Sequence, residues 1–173
     1  MRLLSVRSAL SGDQEYRTEF WERIVQIWQD LRKQGQSMPA RESFSPEKFR
    51  EYLGRLSFIE VSYMADGTPS FIYRVAGTYI ADVTRLEMTG RNLDTIRPRL
   101  YRDCIYGDFV DTLARKTPVL RKITLVSDME QAEYFRMTLP FSDDDDRVSH
   151  ILTCSKGLAR ITAFLEKVHQ PEA

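Results

Sequence analysis

Residues 56–76, LSFIEVSYMADGTPSFIYRVA, decide the fold. Leu56 to Tyr63 and Phe71 to Ala76 are short and rich in β-branched and aromatic side chains. Asp66-Gly67 and Pro69 separate them, so the composition predicts two antiparallel strands joined by a tight turn. Upstream of residue 56 the hydrophobic period is that of a helix, and the change of period divides the chain into a helical start and a sheet-forming remainder.

In the helical start, Tyr16, Phe20, Ile24, Ile27, Trp28 and Leu31 recur at spacings of four and three and form one stripe. Ser11 with Gln14 reads as a capping box at the beginning of this helix, and Gly35 as its left-handed stop. Ser45-Pro46-Glu47 then opens a short second helix through Phe49, Tyr52 and Leu53, which Gly54 ends.

Downstream of the hairpin, Tyr79, Ile80, Val83 and Leu86 predict a helical turn or two, and Thr89-Gly90-Arg91 a turn. A longer helix follows with Ile105, Phe109, Val110 and Leu113 on one side, stopped by Thr117-Pro118. Three further strands are predicted at Val119 to Ser127, Glu133 to Leu139 and Arg147 to Ser155. In the middle one, Phe135, Met137 and Leu139 alternate with Tyr134, Arg136 and Thr138, and the apolar set is expected to face inward. Asp143 to Asp146 lacks the alternating oxygens and distant glutamate of a calcium loop and reads as a solvated hairpin tip. Leu158, Ile161, Leu165 and Val168 form the seam of a closing helix.

This order resembles a PAS fold, and the text resembles one family of single-domain PAS proteins common in alphaproteobacteria, long described as a domain of unknown function. The matching residues are Trp28, Met38-Pro39-Ala40-Arg41, Phe44, Tyr73-Arg74-Val75-Ala76-Gly77-Thr78, Thr89-Gly90-Arg91-Asn92-Leu93, Thr117-Pro118 and Thr138-Leu139-Pro140-Phe141-Ser142. The resemblance covers roughly residues 21 to 156. The chain departs from the family at Arg85 and in its acidic run, where glycines are usual. The resemblance implies an α+β fold with a five-stranded antiparallel sheet in the order 2-1-5-4-3. Helices between strands two and three would cover one face and leave a cavity. It transfers no catalytic residue. The expected layout is an N-terminal helical extension (1–55), the PAS domain (56–156) and a C-terminal helix and tail (157–173).

Composition narrows the function. Lysine plus arginine and aspartate plus glutamate both total 25 in 173 residues, so no net positive field favours nucleic acid. Cys104 and Cys154 are too few for a disulfide framework. No stretch approaches the roughly 18 apolar residues of a membrane span. A cytoplasmic protein with no membrane insertion is expected. With no kinase, cyclase or DNA-binding segment in view, output is expected to pass by contact with another chain.

Tyr73, Val75, Ile80, Val83, Phe109, Leu113, Phe135 and Met137 are the candidate pocket liners, although ordinary core packing accounts for the same positions. Gly77-Thr78 reads either as a required turn or as backbone near a ligand. Haem is not expected, because His150 is predicted on a strand and His169 lies in the tail. A photoactive flavin is not expected, because Arg102-Asp103-Cys104-Ile105-Tyr106 lacks the reactive-cysteine string of such domains. The cysteines and histidines offer no chelating pair of zinc spacing, and nothing orients Cys104 with His150 as a nucleophilic pair. The Arg91-Asn92-Leu93-Asp94 string is of a kind used for cyclic dinucleotides, but 19 arginines and 13 aspartates make one such string expected by chance. Arg97, Arg99 and Arg102 read as a solvated or internally paired face.

The reading is a non-enzymatic sensory or regulatory module acting through a small ligand or a signalling protein; the alternative is a small enzyme using the same cavity. A homodimer is also expected. Trp21 and Val25 widen the first stripe beyond what one sheet face needs, and Leu158, Ile161, Leu165 and Val168 offer a second seam.

Overall fold

Along the chain the elements are β1 (Leu3–Leu10), α1 (Asp13–Tyr16), α2 (Glu19–Asp30), a 3-10 segment (Pro46–Arg55), β2 (Leu56–Tyr63), β3 (Pro69–Ala76), α3 (Thr78–Thr84), α4 (Arg99–Arg115), β4 (Val119–Ser127), β5 (Gln131–Phe141), β6 (His150–Lys156) and α5 (Leu158–Lys167). The computed structural model describes residues 1–84 and 87–168.

The hairpin forms as predicted. Gly67 takes a positive φ at its tip, and the Asp66 carboxylate accepts the Thr68 N–H at 2.9 Å. All strands pair antiparallel in one sheet of order β1-β4-β5-β6-β2-β3. Five of these are the predicted strands in the predicted order. The sixth is a correction: the segment expected to be a wholly helical extension begins with a strand that runs along β4 from Leu10 opposite Arg121 to Leu3 opposite Ser127. Only Leu3 of β1 is fully buried, so this edge strand is held chiefly by backbone hydrogen bonds and shows little apolar alternation.

The same pairing overrides the predicted capping box. The Ser11 N–H donates to Leu120 O at 3.0 Å, which continues the β1 ladder, and Gly12 takes the N-cap position instead. The predicted first helix is therefore two, α1 and α2, broken at Arg17-Thr18. The buried face of α2 is also rotated from the predicted stripe. Trp21, Ile24, Val25 and Trp28 are buried, with Phe20 and Ile27 half-buried beside them. At about 1.5–3 kcal/mol each, these side chains anchor α2 to the sheet, and the Trp28 indole N–H donates to Pro140 O at 2.8 Å.

Both sheet faces are covered. On the α2 side, Met137 lies opposite Cys154 and Cys154 opposite Leu56, while Leu139, Leu152 and Phe58 form the next row. The rings of Phe44, Phe49, Phe58 and Phe141 close this layer. On the other side α4 lies against β5, and α5 packs on α3 and β5. The buried face of α4 is Tyr101, Ile105, Asp108, Phe109 and Thr112, whereas the predicted Val110 is exposed and Leu113 half-buried.

Two local features add to the sequence reading. The acidic run is the exposed β5–β6 hairpin tip expected, and it also acts as a clamp. Asp145 accepts from the backbone N–H of Ser37 and Met38 and from the Ser37 hydroxyl, Asp143 accepts from the Arg41 N–H, and Asp144 accepts from the N–H of Asp146 and Arg147. At Gly77, the close approach is to backbone of the same chain, since a Cβ there would lie 2.6 Å from both Gly54 O and Leu56 O.

Candidate functional site

The predicted pocket liners do not converge. Tyr73 and Phe109 are buried on the α4 side, and Phe109 meets the Phe71 ring at 5.1 Å. Met137 is buried on the α2 side, Phe135 is half-buried on that same face, and Leu113 is half-buried on α4. Val75 is 51% exposed. The register shift that sets Phe58 opposite Val75 but Ile59 opposite Tyr73 carries Val75 to the other face, at the sheet edge. The side chains of Ile80 and Val83, like Leu86 and His169, lie outside the described residues.

The predicted self-association seam lies largely inside the chain. Trp21, Val25, Leu158 and Ile161 are buried, and Leu165 and Val168 are half-buried against the same core. The closing helix folds back on its own domain.

In place of an apolar cavity, the space between α4 and the sheet holds a charged centre. Arg121 on β4 and Arg136 on β5 are cross-strand neighbours. Their side chains are 9% and 5% exposed, and both ion-pair with the buried carboxylate of Asp108 on α4. Arg136 donates to one Asp108 oxygen, and Arg121 Nε lies 3.5 Å from the other. Arg121 also donates to Asp111, one turn along α4 at the rim, which pairs with Arg115 as well. Arg136 Nη1 donates to the Tyr134 hydroxyl at 3.0 Å, and the Tyr134 and Tyr101 hydroxyls are 2.9 Å apart. Thr112 donates to the Asp108 carbonyl at 2.8 Å and meets the Thr138 hydroxyl at 2.7 Å.

The centre is incompletely paired. The Nε–H groups of Arg121 and Arg136 are buried without an acceptor, as is the Ser57 hydroxyl on the same sheet face. Each such group costs about 1–3 kcal/mol. Burial raises the pKa of the Tyr73, Tyr101 and Tyr134 phenols, with Arg136 acting in the opposite sense, so they remain neutral. Burial opposes the charge on Arg136, but Tyr134 and Asp108 outweigh it and its pKa is raised. Its guanidinium also lies 5.9 Å from the Phe109 ring centre.

Cys104, half-buried beside this centre, has its thiol pushed up to about 11, chiefly by burial. It is a thiol rather than an activated thiolate. His150 lies on the opposite sheet face, stacked on Phe58 at 5.0 Å, and burial lowers its pKa. The Cys104–His150 pair weighed from sequence is therefore not assembled. Arg99 and Arg102 pair with Asp103, and Arg97 donates to the Asp94 and Ile96 carbonyls. Among the described residues, no group of three or more His, Cys, Asp or Glu side chains is placed to hold a metal ion. None of the described helices is long and apolar enough to cross a membrane.

Sequence reasoning missed Asp108, Arg121, Arg136, Tyr101 and Tyr134. A signal was present: Asp108 falls three residues after Ile105 and four before Thr112, on the buried stripe, and Arg136 sits mid-strand between hydrophobic neighbours. A groove of about 620 Å³ at the start of α5 is bordered by Arg55, Tyr79, Tyr134, Phe135 and Lys156, with the Tyr134 side chain itself buried.

A family model described as PAS domain matches residues 17–155 of the chain. No curated protein and no solved structure matches it.

Proposed function

Because the chain belongs to the PAS domain family, we propose that it is a non-enzymatic sensory or regulatory module that binds a small ligand between α4 and the sheet and reports it to a partner chain. The observation that supports this reading is the charged centre of Asp108, Arg121 and Arg136. A module needing only stability would gain as much from apolar residues there, since replacing buried ion pairs with well-packed hydrophobic side chains is often neutral or stabilising. The centre contacts the elements that would carry a signal. Asp108 belongs to α4, Arg121 lies opposite Leu10 of β1, and Tyr134 borders the start of α5.

Self-association belongs to the same reading, though not through the helical seam read from sequence. The surface available is the outer edge of β1, where Leu4 and Leu10 are exposed and backbone groups are free to pair. Native mass spectrometry of freshly purified protein tests both parts. A retained small molecule and a dimer are expected. A protein that arrives empty and shows no thermal shift across a metabolite library overturns the ligand reading, and a monomer overturns self-association.

A further inference from the structure

Resting on that reading, we infer that the ligand is a small monocarboxylate, held by the buried guanidinium of Arg136 in a centre where Asp108 acts as an internal stand-in for it. The argument begins with charge. Two guanidinium groups, 9% and 5% exposed, face one comparably buried carboxylate, that of Asp108. Arg121 has a second acceptor, Asp111, which is 36% exposed and already shared with Arg115. The fully buried shell therefore carries one surplus positive charge, which a monoanion neutralises and a phosphate dianion overshoots.

Hydrogen-bond geometry points the same way. Arg136 spends Nη1 on Tyr134 and Nη2 on Asp108, while its Nε–H has no acceptor; nor has the Nε–H of Arg121 on the adjacent strand. A guanidinium edge of Nε and one terminal nitrogen matches the two coplanar oxygens of a carboxylate. The Asp108 carboxylate already joins the two arginines, so a carboxylate is the group that their arrangement suits. Phe109, in contact with Arg136, and the neutral Tyr101 and Tyr134 supply an apolar but hydroxyl-bearing surround for the remainder of a small acid.

The test titrates the full chain with propionate, with propionamide as its uncharged isostere and with inorganic phosphate, observing arginine Nε–H resonances by NMR. Propionate is expected to move the Arg121 and Arg136 Nε–H signals saturably, and propionamide and phosphate are not. In Asp108→Asn the internal competitor is neutral, so propionate should bind about tenfold tighter or better and raise the melting temperature of that variant more than that of the wild type. Arg136→Lys keeps the charge but loses the fork, and its affinity should fall about tenfold or more. The wild-type titration stands whether or not either variant folds. Equal binding of propionamide and propionate, or preference for phosphate, overturns the carboxylate while leaving a ligand-binding interior intact. No saturable shift in wild type or Asp108→Asn overturns the carboxylate, and if the protein also arrives empty by mass spectrometry the wider ligand reading falls with it.

Discussion

The hydroxyls of Thr112 and Thr138 lie 2.7 Å apart, a fully buried hydrogen bond that ties α4 to β5 beside the charged centre. Replacing either threonine with valine removes this bond while the other hydroxyl keeps a carbonyl acceptor, Asp108 O for Thr112 and Val119 O for Thr138, and each single change should cost about 0.5–1.5 kcal/mol. The double variant should cost less than the sum of the two, because the bond that they share is lost only once. Urea denaturation of the four proteins measures this, and strict additivity would show that the two hydroxyls are not coupled.

Asp108 gives the largest single effect expected. Asp108→Ala leaves two buried guanidiniums without their shared carboxylate and should destabilise by about 3–5 kcal/mol. Pairing it with Arg136→Met should recover much of that loss. A double variant as unstable as the sum of its parts would show that the centre stabilises the fold through packing rather than charge balance.

Gly77→Ala tests the close approach of the two chain segments. With the new methyl 2.6 Å from two carbonyl oxygens, backbone must shift, at a cost of about 1–3 kcal/mol or somewhat more. Thermal denaturation should show the loss, and an unchanged midpoint would mean that the 54–56 and 77 backbones are farther apart in solution.

The acid clamp makes stability depend on pH in a defined window. Backbone N–H donors hold Asp144 down to about 2, and those of Ser37 and Met38 lower Asp145. Because the folded values lie below the unfolded ones, their contribution is complete above about pH 4 and is lost as pH falls toward 2. Asp145→Asn should flatten this acid limb, seen as a smaller difference between urea midpoints at neutral and low pH. An acid limb identical to that of the wild type would remove Asp145 from the account.

Legibility in the sequence followed the kind of interaction. The 56–76 hairpin and the anchoring of Trp28 are written in hydrophobic period and turn residues, and both form. β1 is written almost entirely in backbone hydrogen bonds, which any sequence can make, so LLSVRSAL gave little warning. The charged centre was hidden for a different reason. Residue type assigns Asp108 and Arg136 to solvent, although Asp108 falls on the buried stripe of α4 by spacing, and both turn inward because each supplies the charge that makes the other's burial tolerable. Val75 was lost to a bulge, which reverses side-chain facing without any mark in the alternation.

The pairing of β1 also sets an order of events during synthesis. The Arg2 N–H donates to Asp128, 126 residues away, so β1 has no partner until β4, which is synthesised after it, has followed it out. Closing so long a loop is entropically costly and slow relative to the local hairpins. During that interval β4 presents an unpaired edge, and a second nascent chain can compete for it with the strand meant to cover it.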